Sequence, residues 1–164
     1  MAVAGSRFTY AVGRLALWSA DPDLIQGDGA ELLRSGRFRH LAIANPELAP
    51  YGAATRETLE ALGLWREVAP KIVLGTNVGQ TLQLVATRNA ELGFVAVAQL
   101  AGLAGANGGS RWDVPPGLHG PIKQDAVLLE RARSNEAARA FLDFLKGPEA
   151  RAILRAHGYD LGGG

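Results

Sequence analysis

An α/β fold with a largely parallel sheet is the class this sequence predicts, and three observations predict it. Short apolar runs alternate with helix-periodic segments along the chain. The joins between them carry Pro, Gly and Asn, which set tight strand-to-helix turns. The 164 residues are 48% apolar and 20% charged, a balance that supports a packed core.

Taken in order, Phe8 to Trp18 is rich in aromatic and branched residues and reads as a strand pair or one long strand. Gly29 to Ser35 reads as a short helix and His40 to Ala44 as a buried strand. Pro50 to Leu62 is helical, because Ala54, Thr55, Leu59 and Leu62 share a face and Gly63 suits the left-handed position after its end. Lys71 to Leu74 reads as a strand. Val78 to Arg88 reads as a helix with Val78, Leu82 and Val85 on one side and Asn77 as N-cap. Leu92 to Val97 is a further buried strand, and Gly102 to Gly109 a surface loop. Strands are expected at Arg111 to Val114 and Asp125 to Leu129. Ala137, Ala140, Phe141, Phe144 and Leu145 then mark an amphipathic helix behind a Ser134 cap. Gly147-Pro148 restarts a helix that stops at Gly158, and the Gly162 to Gly164 tail is expected to be disordered. No internal repeat is visible.

Composition narrows the function. A net charge of +1 gives no reason to expect nucleic acid or an anionic membrane as partner. The absence of cysteine rules out disulfides and thiolate metal sites. No apolar run is long enough for a transmembrane helix. Met1 to Phe8 lacks the basic and apolar regions of a signal peptide, so the chain as written is expected to stay where it is made.

Two junctions carry the most specific chemistry. Asn45-Pro46-Glu47-Leu48-Ala49-Pro50-Tyr51-Gly52 follows the apolar run Leu41-Ala42-Ile43-Ala44 and leads into a helix, and Gly75-Thr76-Asn77-Val78 repeats the pattern. The first N–H groups of a helix have no intrahelical acceptor and carry partial positive charge, so such turns attract anions without a cationic side chain. In a parallel sheet both junctions open on one edge, where the N–H groups of Tyr51 and Val78 could converge on one oxyanion. Ordinary helix starts would look the same.

Catalytic signals are weak. His40, His119 and His157 are scattered, with no partner at metal-ligand spacing. Ser6, Ser19, Ser35, Ser110 and Ser134 occupy no nucleophile elbow. Gly27-Asp28-Gly29 reads as a turn and not a dinucleotide loop. Arg131, Arg133, Arg139, Arg151 and Arg155 read as a solvated surface partly paired with Glu136 and Glu149. Trp18, Trp65 and Trp112 read as core or boundary packing. Neither a catalytic residue, a metal ligand nor a cofactor is expected.

Several segments together resemble a known family. Tyr10-Ala11-Val12-Gly13-Arg14-Leu15 and Leu17-Trp18-Ser19 are similar to the opening of its second lobe, Asn45 to Gly52 to its anion loop, and Leu62-Gly63-Leu64-Trp65 to a helix end. Asn77-Val78, Ala90-Glu91-Leu92-Gly93-Phe94-Val95 and Phe141-Leu142-Asp143-Phe144-Leu145 through Gly158-Tyr159 complete the series. The family is the periplasmic molybdate-binding protein of the bacterial molybdate ABC transporter. The resemblance runs from about Gly5 to Leu161.

The resemblance implies a type II periplasmic-binding-protein fold, with two α/β lobes and molybdate or tungstate held between them by neutral donors. It places Tyr51 and Val78 at positions whose main-chain N–H groups bind the oxyanion. A tyrosine that supplies a hydroxyl in some members is replaced here by Ala96. It implies a periplasmic location and a membrane permease of the ABC transporter as partner. Residues 9–120 are then the second lobe, and residues 121–164 recross the hinge and supply C-terminal helices of the first lobe. The first-lobe segment that carries two serine- or threonine-type contacts is not in this sequence.

Two expectations follow for the chain as it stands. Phe141, Phe144, Leu145 and Ile153 lack the sheet they would cover, and burying each is worth about 1.5–3 kcal/mol, so self-association through the C-terminal helices is expected. A cytosolic ligand-sensing domain of the same fold and a small α/β enzyme acting on a phosphorylated or sulfated substrate are the alternative functions. The second expectation is weak binding. Each charge-assisted hydrogen bond contributes roughly 1.5–3 kcal/mol, so two fewer donors weaken molybdate affinity by about two to four powers of ten. Calorimetry should find weak binding or none, and a submicromolar dissociation constant would contradict this.

Overall fold

The computed structural model describes residues 1–103 and 108–161. In chain order the strands are β1 Phe8–Gly13, β2 Leu15–Ser19, β3 Leu41–Ala44, β4 Ile72–Gly75, β5 Leu92–Ala96, β6 Ser110–Asp113 and β7 Ile122–Ala126. The α-helices are α1 Gly29–Ser35, α2 Pro50–Ala61, α3 Trp65–Val68, α4 Val78–Ala86, α5 Val97–Ala101, α6 Glu136–Lys146 and α7 Pro148–Ala156. The chain divides into two units, residues 14–122 and the segments 1–13 and 123–164 together. β1 falls within the span expected for a second lobe, yet it pairs with β7.

The unit of residues 14–122 is built on a five-stranded sheet in the order β4-β3-β5-β2-β6. β3 pairs in parallel with both β4 and β5, whereas β2 pairs antiparallel with β5 and β6. The sheet is therefore mixed, and the expected largely parallel sheet is corrected. Its strands alternate between two buried faces. Leu15, Leu17, Leu41, Ile43, Leu92 and Phe94 join one core with Leu33, Ala54, Leu59 and Val68 from α1, α2 and α3. Ala16, Trp18, Ala42 and Val95 join another with Leu82 and Val85 of α4 and Val97 and Leu100 of α5. Burial on both faces explains why β2, β3 and β5 read as unbroken apolar runs. Gly93 marks a close contact between sheet and helix, since a Cβ there would lie 2.5 Å from Val85 Cγ2.

Local signals held at most boundaries. Gly63 takes φ 74° beyond α2, and the Asn77 side chain accepts the Gln80 N–H to cap α4. At α6 the cap is Asn135, whose side chain accepts the Ala138 N–H, and not Ser134. The expected Asp125 to Leu129 strand lies earlier in the chain, as β7. Helices α3 and α5 were not anticipated. Residues 104–107, inside the expected glycine-rich loop, and the tail 162–164 lie outside the described residues.

The second unit pairs β1 with β7 and carries α6 and α7. Val12 and Asp160 exchange backbone hydrogen bonds of 2.7 and 2.9 Å, which ties the chain beyond α7 to β1. Phe141, Phe144 and Ile153 are exposed, and the two Phe rings lie 6.5 Å apart. The basic residues pair otherwise than expected: Arg133 meets Glu130 at 2.9 Å, and Arg139 donates to the Arg133 carbonyl, in place of Glu136 and Glu149.

Asp125 on β7 accepts from the Thr9 hydroxyl at 2.7 Å and from Arg7 Nε at 2.6 Å. The Thr9 hydrogen bond, then that of Arg7, holds its carboxyl below the usual aspartate range. A lowered folded-state pKa means that this contribution is present above the unfolded pKa and is lost as pH falls through the folded one. Asp125→Asn should therefore lower the urea midpoint at neutral pH and leave it unchanged in acid below the carboxylate range. An equal effect at both pH values would contradict the assignment.

Candidate functional site

The apolar β3 ends at Ala44, and Asn45 organises the turn that follows. Its backbone N–H donates to the Gly75 carbonyl at 2.8 Å, which fastens the end of β3 to the end of β4. Its own carbonyl accepts the N–H groups of Leu48 and Ala49, and Oδ1 accepts the Glu47 N–H at 2.9 Å. Pro50 occupies the first turn of α2, where its missing N–H costs nothing and its fixed φ suits the helix. Gly52 permits the close approach: a Cβ there would strike the Ala44 carbonyl and lie 2.7 Å from Asn45. Tyr51 packs its half-buried side chain against the core, and its carbonyl accepts the Thr55 hydroxyl at 2.8 Å. The N-cap residue of α2 is Ala49, which has no side-chain acceptor to offer.

The neighbouring junction is built differently. β4 pairs with β3 in the register Ala44↔Gly75, so both turns leave adjacent strands at the same edge. Asn77 Oδ1 caps the Gln80 N–H at 2.9 Å, while Gln80 Oε1 accepts both the N–H and the hydroxyl of Thr76. This reciprocal bonding fixes the start of α4 around Val78, its first residue. Gly75 also lacks room for a Cβ, which would lie 2.9 Å from Thr81 Oγ1. Between Ile72 and Thr87 the chain carries no charged side chain. The start of α4 can therefore attract an anion only with dipoles.

A third junction, β5 to α5, leaves the same edge, because β5 is also parallel to β3. Ala96 ends β5 and is buried. Gln99 folds back so that its Oε1 accepts the Ala96 N–H at 3.4 Å. Its amide nitrogen lies 3.8 Å from where a Cβ on Gly79 would sit, so a neutral donor stands beside the start of α4. Sequence reasoning missed Gln99; the signal was a Gln three residues after a strand end, as in a capping box.

The other residues singled out in the sequence do not join this edge chemically. His40 lies 3.8 Å from Glu91, His119 Nδ1 contacts the Gly120 carbonyl, and His157 Nδ1 contacts the Ile153 carbonyl. Among the described residues no group of three His, Cys, Asp or Glu could hold a metal ion. Asp28 caps α1 through the Ala30 N–H, so Gly27-Asp28-Gly29 is a helix-start turn. Trp18 is buried, Trp112 covers Gly29, and Trp65 stacks under Arg56 at 5.4 Å. Ser110 donates to the Asp21 carbonyl and Ser35 to the Leu32 carbonyl, both structural bonds.

Comparison with known proteins gives consistent matches. A family model described as bacterial extracellular solute-binding protein matches residues 1–160. The chain is 52% identical over 159 residues to the molybdate-binding protein ModA of Azotobacter vinelandii, covering 97% of this chain and 63% of that protein. It is 51% identical over 158 residues to ModA of Rhodobacter capsulatus, covering 96% of this chain and 61% of that one. The chain thus spans about three-fifths of the length of these relatives. The solved periplasmic molybdate-binding protein of Azotobacter vinelandii superposes with a TM-score of 0.91 at 42% identity, over 99% of this chain and 71% of that chain.

The close packing at Gly52 has a measurable consequence. Gly52→Ala should destabilise the chain by about 1–3 kcal/mol, since the clash is with backbone and cannot be relieved by a rotamer change. Urea unfolding would show a lowered midpoint at unchanged slope. A variant as stable as the parent would mean that α2 is not held against the Ala44 carbonyl.

Proposed function

The chain belongs to the bacterial extracellular solute-binding proteins, and we propose that it serves molybdate and tungstate uptake, holding the tetrahedral oxyanion at the edge where α2 and α4 begin. The observation that carries the reading is the tie between the two junctions. The Asn45 N–H to Gly75 carbonyl bond sets two helix starts side by side, with no charged side chain from Ile72 to Thr87. The Tyr51 and Val78 main-chain N–H groups donate to the oxyanion, and no metal ligand or cofactor takes part. Selection then rests on cavity size and donor geometry, because the protein supplies dipoles and not a countercharge.

The relatives' names, molybdate-binding protein, support this ligand. In this reading residues 14–122 form the second lobe, the partner is the membrane permease of an ABC transporter, and the compartment is the periplasm. A small α/β enzyme would need a nucleophile with a base, and among the described residues the serines and histidines form no such pair. The exposed Phe141, Phe144 and Ile153 face belongs to the same proposal: it drives self-association in the isolated chain. Sedimentation should show species larger than one chain at high concentration, and a monomer that binds no apolar dye would contradict it.

Val78→Pro isolates the binding contact. Proline suits the first helical position, and Asn77, at φ −152° and ψ 173°, already has the extended backbone that a following proline requires. The variant keeps the helix and removes one N–H. In 15N–1H spectra titrated with sodium molybdate, the parent should show saturable shifts at the Tyr51 and Val78 amides. Val78→Pro should bind about tenfold to a hundredfold more weakly, the loss of a hydrogen bond to a charged group, while Val78→Ala binds as the parent does. Shifts confined to lysine and arginine segments, or equal affinity in the proline variant, would overturn the proposal.

A further inference from the structure

The opposite edge of the sheet in residues 14–122 carries a cavity. β2 is antiparallel to β5 in the register Trp18↔Gly93, so Ser19 at the end of β2 lies near the start of β5. Arg39 leads toward β3, and Arg88 follows α4. A cavity of about 440 Å³ is lined there by Ser19, Asp21, Arg39, Val85, Arg88 and Glu91, a size within the range of small-molecule sites. Pro22, exposed, and Leu24, half-buried, supply its apolar wall.

Its charges divide into a closed pair and an open one. Arg39 Nε donates to Glu91 Oε1 at 2.9 Å, and Glu91 Oε2 accepts the His40 N–H at 2.9 Å. Burial pushes the Glu91 carboxyl up, but the hydrogen bonds from Arg39 and His40 outweigh it, so the group stays ionised and paired. Arg88 meets no carboxylate among the described residues. Asp21 uses Oδ1 only for the Asp23 N–H at 2.9 Å. Beneath them Ser19, 1% exposed, fixes the turn, its hydroxyl oxygen accepting the Asp21 N–H at 3.1 Å.

The backbone at Arg88 points the same way. Its φ is 60°, and among the described residues it is the only non-glycine residue with positive φ. After α1, α2 and α7 the chain meets the same requirement with Gly36, Gly63 and Gly158, which take such angles without steric cost. After α4 it keeps an arginine in a conformation that L-residues disfavour, and outliers of this kind cluster at ligand sites.

We infer that this cavity binds a small zwitterion of the amino-acid type, its carboxylate on the Arg88 guanidinium, its ammonium on Asp21 and its apolar body on Pro22 and Leu24. The site lies on the edge away from Tyr51 and Val78 and does not depend on the oxyanion reading. L-Valine, 3-methylbutanoate and 2-methylpropylamine are the probes, since the latter two each lack one of the charges. In 15N–1H spectra of the full chain, valine should cause saturable shifts at Asp21 and Arg88, and each single-charge analogue should bind roughly tenfold or more weakly. Arg88→Gly should melt no lower than the parent, because glycine suits the angle, yet lose valine affinity by at least about tenfold, and Asp21→Asn should lose a similar factor. Absence of saturable shifts, unchanged affinity in Arg88→Gly, or 3-methylbutanoate binding as tightly as valine would overturn the inference.

Discussion

The hydrogen bond from the Asn45 N–H to the Gly75 carbonyl is the contact on which the rest of the sheet edge depends. It extends the parallel pairing of β3 and β4 by one residue beyond Ala44↔Gly75 and sets the two outgoing turns at one height. Without it, α2 and α4 could start at different levels, and their first N–H groups would address different volumes. Gly52 and Gly75 serve the same end from below, since neither has room for a Cβ. Close packing of backbone on backbone therefore aligns the dipoles, and no side chain needs to carry charge for the edge to attract an anion.

That arrangement needs a rigid sheet, and the two buried faces supply it. β3 and β5 are covered by α1, α2 and α3 on one face and by α4 and α5 on the other. The cost is that β3, β4 and β5 carry no polar side chain, so chemistry there is confined to the edges, where backbone groups and capping side chains become available. One edge holds neutral donors, the starts of α2 and α4 and the Gln99 amide, with Arg14 and Asp113 closed in an ion pair where β2 begins. The other holds charges: Arg39 paired with Glu91, and Arg88 and Asp21, which form no ion pair among the described residues. The two edges of one sheet thus differ in chemistry because strand direction decides which backbone ends emerge there.

Much of this was legible in the residues. Pro50 at a helix start, Gly63 beyond its end and Asn77 as cap follow from local backbone preferences, and each occupies the place expected. Strand direction was not legible. β2 is buried on both faces like a parallel strand, although its partners β5 and β6 run antiparallel and lie far away in the chain. The Ser134 cap differed from the observed Asn135 by one residue because both side chains can accept a first-turn N–H, and only the geometry of Ala138 decides between them. Gln99 and Arg88 escaped notice for another reason. Gln99 caps the Ala96 N–H from three residues on, a pattern too short to stand out, whereas Arg88 matters through a cavity lined by residues distant in sequence.

The central claim is that an oxyanion sits on the main-chain amides at the starts of α2 and α4. Tungsten scatters anomalously, so diffraction from crystals soaked in sodium tungstate locates the ligand without assumptions about its coordination. The account requires an anomalous peak whose oxo groups lie about 2.7–3.1 Å from the Tyr51 and Val78 nitrogens, the range of strong N–H···O hydrogen bonds. A peak seated instead on arginine or lysine side chains, with the two helix starts unoccupied, would contradict it.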